Sequence, residues 1–193
     1  MLICVTIQGI TPVMFDRFHE GLLTKGPKTT NHAEEDGPRE QAERKLYVDD
    51  KGIPVFPADN LLSCVIDAGR FIKVGKRQLS TRDTTVVTGF LSIVGDPFLP
   101  IVSKEGWRVD ARGIVNAATK GRHVCYRPIF DDWSFDFVLD VDLTEVSEKT
   151  VRELVDRAGK NIGIGVMRPS RKGRYGQFKV ACWNCEESRK KAA

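Results

Sequence analysis

The residues best suited to chemistry lie between Asn161 and Val180, NIGIGVMRPSRKGRYGQFKV. The stretch combines Gly163, Gly165, Gly173 and Gly176 with Arg168, Arg171, Lys172, Arg174 and Lys179, and it has no acidic residue. Glycine lets a backbone pass close to a ligand and take positive φ. Unpaired N–H groups in such a loop form an anion-binding nest. Arg and Lys add charge suited to phosphate, and Tyr175 and Phe178 add flat faces on which a base could stack. Together these point to a nucleic-acid backbone, with Arg168, Arg171, Lys172, Arg174 and Tyr175 as the binding residues. A plain β-hairpin with a solubilising basic tip would have the same composition. A nucleotide-binding loop follows a strand and opens a helix. This one follows a predicted helix and precedes a predicted strand, which favours a polymer over a nucleotide.

A second basic island runs from Arg70 to Arg82. Arg70, Lys73 and Arg77 are three and four residues apart, so they share a helix face if a helix reaches Arg77. That face would line a phosphate-tracking groove, or simply be a solvated surface. The chain between Asp131 and Asp156 is acidic instead, with Asp131, Asp132, Asp136, Asp140 and Asp142 among its residues. The net charge of +4 over 193 residues is too mild to identify a partner by itself, so the distribution decides. Opposite charges on one small domain suit a basic ligand groove and head-to-tail association with further copies.

Cys182 and Cys185 form a CWNC sequence, a spacing that invites zinc or redox readings. It is a single pair, and residues three apart on a strand point to opposite faces, so no metal or other cofactor is expected. His19, His32 and His123 are the histidines, and a general base for RNA cleavage is often a histidine. Five cysteines without a recognisable secretion signal suggest reduced thiols and a cytoplasmic setting. No apolar run approaches the ~20 residues of a membrane span.

The elements that must position these groups follow from hydrophobic period. Leu2 to Gln8 alternates as a strand. Residues 21–46 are polar and rich in Gly, Pro and Glu, and read as a mobile loop insertion. Asp59 is a plausible N-cap for a helix to about Lys73, with Leu61, Leu62, Val65, Ile66, Ala68 and Phe71 at helical spacing. Thr84 to Val94 reads as a strand, residues 95–122 as an irregular insertion with hairpins, and His123 to Phe130 as extended chain. Ser134 to Leu143 alternates as a half-buried strand. Ser147 opens a second helix with the stripe Val151, Leu154, Val155 and Ala158, and Gln177 to Trp183 closes as a strand. The order is close to βαββαβ. It predicts one α+β domain over residues 1–193, ferredoxin-like or RRM-like, with an antiparallel sheet, helices on one face, and loop and hairpin insertions.

Three stretches in this order carry a resemblance: ICVTIQGITPVM, YVDDKGIPVFPADNLLSCVIDAG and GIGVMRPSRKGRYGQF. The chain resembles the RAMP superfamily of CRISPR-associated RNA-binding proteins, in particular the subunits that form the guide-RNA backbone of effector complexes. The resemblance implies sequence-nonspecific binding of single-stranded guide RNA by a repeated subunit. It implies contacts to further copies, to other effector subunits and to a target nucleic acid. It also implies a thumb, for which the 95–122 insertion with Trp107 and Arg108 is the natural place. Processing members of the superfamily combine a histidine with the glycine loop, which draws attention to His19. Target-cleaving members use an acidic residue in a loop after the first strand, which draws attention to Asp36. An endoribonuclease is therefore the alternative reading.

Overall fold

The computed structural model describes residues 1–18, 37–115 and 120–186. In chain order its elements are β1 (Leu2–Gly9), β2 (Val13–Met14), α1 (Pro38–Glu43), β3 (Val55–Pro57), α2 (Ala58–Ala68), β4 (Lys73–Val74), β5 (Arg77–Gln78), α3 (Val87–Phe90), β6 (Leu91–Val94), β7 (Phe98–Pro100), β8 (Arg108–Val115), β9 (Arg122–Phe130), β10 (Ser134–Val141), α4 (Glu148–Arg157) and β11 (Phe178–Glu186). The main sheet has the order β11-β1-β10-β6, and every neighbouring pair in it is antiparallel. β1 and β6, joined through α2, therefore run parallel with β10 between them. β10 and β11, joined through α4, run parallel with β1 between them. The chain is thus a mixed α+β protein built on antiparallel pairing.

Alternation explains which face is covered. Ile3, Val5 and Ile7 of β1 and Phe135, Phe137, Leu139 and Val141 of β10 share one core with Leu61 and Val65 of α2 and Val151, Leu154 and Val155 of α4. Both helices therefore lie on one face. Phe56 stacks on Phe135 with ring centres 5.5 Å apart, which ties the entry to α2 into that core. Ser147 caps α4 by accepting from the Thr150 N–H at 3.2 Å. The other face presents Cys4, Thr6, Gln8, Asp136, Val138, Asp140, Ser92, Val94 and Cys182, by register with the buried positions.

Several expected elements differ. The helix after Pro57 is capped by Pro57 without a side-chain bond, and Asp59 lies in its first turn. There its charge favours the positive end of the helix dipole. α2 stops at Ala68, a short 3₁₀ turn follows over Gly69–Phe71, and β4 and β5 make a hairpin turned by Gly75 at φ +62°. Arg70, Lys73 and Arg77 therefore do not share a helix face. Thr84 to Val94 is a strand only from Leu91. The Thr85 hydroxyl accepts from the Val87 N–H at 3.1 Å, and the chain coils for one helical turn that buries Val87 and Phe90.

Part of the expected loop over residues 21–46 is helical. α1 sets Ala42 against the β8–β9 ribbon side of the molecule, and Leu46 joins the main core. Its remainder up to Asp36 lies outside the described residues. The 95–122 insertion contains β7, which pairs with β3, and β8, which pairs with β9 and through it with β2. No helix among the described residues is long and apolar enough to cross a membrane.

The stacked pair gives a direct test. Phe135→Ala should cost about 3–5 kcal/mol of unfolding free energy in urea. A loss below about 1 kcal/mol would show that this ring does not anchor the two halves of the core.

Candidate nucleic-acid interface

The glycine-rich segment between α4 and β11 is a closed structure docked on the chain between β1 and β2. The Val166 N–H donates to the Met14 carbonyl at 2.9 Å, the Gly176 N–H to the Pro12 carbonyl at 2.8 Å and the Gln177 N–H to the Thr11 hydroxyl at 2.9 Å. Across the loop itself, the Ile164 N–H donates to the Gly176 carbonyl at 2.9 Å, Gly173 to Arg168 at 3.0 Å and Tyr175 to Met167 at 3.1 Å. The expected anion nest of free amides is thus largely spent on the loop's own construction. Its glycines serve that construction. A Cβ at Gly173 would collide with the Met167 carbonyl, and one at Gly176, where φ is +68°, with the Ile164 carbonyl.

The loop presents cations from this fixed frame. Pro169–Arg171 forms a 3₁₀ turn closed by Lys172 in the left-handed region at φ +61°. Arg171, Lys172 and Arg174 are exposed and have no salt bridge among the described residues. Arg168 is half-buried; it donates from Nη1 to the Gly165 carbonyl at 2.9 Å and from Nε to the Ser170 hydroxyl at 3.1 Å. Lys73 and Arg77, on the β4–β5 hairpin, are likewise exposed without a salt bridge among the described residues.

Other expected contacts are committed elsewhere. Arg70 is paired with Asp67. Arg108 binds Asp131 with both Nε and Nη2, the latter at 2.9 Å, and this bond holds the Asp131 carboxyl below the usual carboxylate range. Trp107 is half-buried beside the main core, with the Arg39 guanidinium 4.2 Å from its ring centre. Both Trp107 and Arg108 sit at the base of the β8–β9 ribbon, away from its tip.

Tyr175 is buried with Met14 and Ile129, and Val166 packs against them. Arg112 from β8 lies 4.8 Å from its ring centre, donates to its hydroxyl and is held in turn by Asp110 at 2.6 Å. The hydrogen bonds from Arg112 and Arg174 hold the phenol below its ordinary range. Tyr175 is therefore a structural clamp rather than a stacking platform. Phe178 is core as well. The open sheet face contributes no aromatic residue, since Phe135 and Phe137 point the other way, and it carries Asp136 and Asp140.

A cavity of 240 Å³ opens between the loop and α2. Asn60, Ser63, Cys64 and Asp67 line its helix side, at the i, i+3, i+4 and i+7 spacing of one helical stripe. Ile162 to Val166 and Arg168 line the opposite side, and Phe15, Asp16, Tyr47 and Phe56 complete it. At the floor the Cys64 thiol donates to the Gly163 carbonyl at 3.3 Å, and burial pushes its pKa far up, so it stays a neutral thiol. The helix stripe escaped the sequence reading, although its polar members lie at helical spacing between Leu61 and Ala68.

No protein-family model matches this chain, and no curated protein sequence matches it.

His19 and Asp36 lie outside the described residues. His123 is exposed on β9. Cys182 pairs with Thr6 on the open face, while Cys185 contacts Glu148 of α4 at 3.1 Å on the other. The two thiols thus point apart, and among the described residues no three His, Cys, Asp or Glu side chains come together to hold a metal.

Two tests follow from this geometry. A double-mutant cycle of Arg112→Ala with Tyr175→Phe should give a coupling of about 1–3 kcal/mol in denaturant unfolding; additive losses would exclude the clamp. Asp131 has a folded pKa below its unfolded value of about 3.9. Its contribution is therefore present above that value and lost as pH falls through the folded pKa. The wild type should lose stability below about pH 4 more steeply than Asp131→Asn, by well under ~1 kcal/mol because the pair is half exposed. Parallel pH profiles of the two proteins would contradict this.

Proposed function

We propose that this protein binds single-stranded RNA along its sugar-phosphate backbone, as a repeated subunit of an RNA-guided complex of the RAMP type. The observation that carries the reading is the set of exposed cations Arg171, Lys172 and Arg174, none with a salt bridge among the described residues, on a loop fixed by backbone hydrogen bonds. Phosphate contacts need no base readout and supply most of nonspecific affinity. Arg168, half-buried beside these residues, adds a further cation, and Lys73 and Arg77 on the β4–β5 hairpin are exposed as well.

The fold agrees with this. Two β-α-β crossovers interleave so that each parallel pair is split by a strand of the other, which supports a ferredoxin-like or RRM-like reading of this α+β fold. The departure is in how RNA is held. RNA-recognition modules commonly stack bases on sheet aromatics, and here that face is acidic and without aromatic residues. Electrostatic tracking on the loop side therefore replaces stacking on the sheet. The acidic sheet face and the cationic loop of one molecule also suit successive copies set side by side along one strand. Guide RNA, further copies and other effector subunits are the partners in this reading, the cytoplasm its setting.

Arg171→Glu combined with Lys172→Glu should weaken binding of single-stranded RNA at least about tenfold in fluorescence anisotropy at moderate salt. It should also reduce the slope of log K against log salt by about 1.4, two contacts at ~0.7 each. Arg108→Ala, which removes a neutralised charge, should leave both within about twofold. Equal affinities for wild type and the double variant would refute the assignment.

A further inference from the structure

The cavity between α2 and the glycine loop is unsuited to phosphate even though cations surround it. Two carboxylates, Asp16 and Asp67, line it against a single guanidinium, Arg168. Asp16 is neutralised by Arg127 at 2.8 Å and Lys45 at 3.7 Å. Asp67 is bound by Arg70 through Oδ1. That bond orients the carboxylate while leaving Oδ2 without a partner among the described residues. Ser63 and Asn60, one and two turns back on the same stripe, also have no side-chain partner among the described residues. A polar pocket with unspent acceptors, beside a phosphate track and walled partly by the half-buried ring of Tyr47, fits a neutral planar ligand rich in N–H donors. Its volume of 240 Å³ is that of about eight waters at roughly 30 Å³ each, room for a single base rather than a helix.

Resting on the RNA reading above, we propose that this cavity takes one unstacked guanine of the bound strand. The guanine edge presents N1–H and N2–H side by side, a pattern that a carboxylate accepts as a pair, and the O6 acceptor beside them. Asp67 receives the two donors. The Asn60 amide or the N–H groups Arg168 has not spent on its own loop supply O6. Tyr47 in the cavity wall offers a ring for stacking, and the Arg17 guanidinium lies 5.6 Å from its ring centre. Arg70 is then a positioning residue that acts through Asp67. The subunit would follow phosphates without regard to sequence and read one base for each copy bound.

The test uses the full chain and oligouridine of about twelve residues, with and without one central guanosine, and a third oligomer with adenosine at that place. Wild type should bind the guanosine oligomer about tenfold more tightly than the other two, the discrimination of one paired base contact. Asp67→Asn should bring the guanosine oligomer down to the affinity of oligouridine. Ser63→Trp, which plugs the mouth from an exposed position, should do the same without disturbing the Asp67–Arg70 pair. Arg171→Glu with Lys172→Glu should weaken all three oligomers together and keep the preference. Equal binding of the three oligomers by wild type would overturn the base site and leave the RNA reading standing. A preference for adenosine would overturn the guanine assignment. Failure to bind any of them would remove the RNA reading, and the base site with it.

Discussion

The seam between the glycine loop and the residues that follow β1 is the constraint on which the rest depends. Five hydrogen bonds between the loop and residues 10–14 fix it, and glycines at 173 and 176 allow the close approach. That seam joins the two sheets, because β2 begins where β1 has just turned away and pairs with β9. It makes one wall of the cavity beside α2. It also removes from the loop the freedom that a basic, glycine-rich segment would otherwise have. A cation presented from an ordered backbone gives up less entropy when it meets a phosphate than one on a mobile tail. The loop's amides are spent in the process, so charge rather than backbone donation is what it offers a ligand.

Pairing inside the molecule decides which of its many cations are available. Arg70, Arg108, Arg112 and Arg127 each face an aspartate. The more exposed of these pairs, Arg70–Asp67 and Arg108–Asp131, add little to stability, yet all four silence charge. Among the described residues, the loop cations Arg171, Lys172 and Arg174 and the β4–β5 hairpin cations Lys73 and Arg77 carry no such pair. The modest net charge of +4 therefore conceals a strongly uneven field.

Period and punctuation made much of the fold legible. β1, β10, α4 and β11 follow from alternation or from an apolar stripe with a Ser cap. The departures are local. Thr84 to Val94 reads as β-branched strand, but the Thr85 hydroxyl turns its first half into a helical turn. Arg70, Lys73 and Arg77 have helical spacing, but a glycine at position 75 takes positive φ and makes a hairpin. For the site, the exposed loop cations could be picked from composition. The roles of Tyr175 and Arg108 could not, because their partners Arg112 and Asp131 are distant in sequence, 63 and 23 residues away. Pairing across such separations leaves no periodic trace in the chain.

The central place of β1 also bears on how the protein comes into being. Ile7 pairs with Phe135 on one side and Val180 on the other. A nascent chain carries β1 with both edges open until β10 and β11 have been made, and contacts of such long range close slowly. The cationic loop lies just before the strand that fills the second edge, and its own anchor points lie just after the first strand. Its rigid form therefore arises only after β11 has been made. Until then the same basic residues are loose on a tether, and a grip on RNA that depends on their fixed spacing belongs to the folded molecule alone.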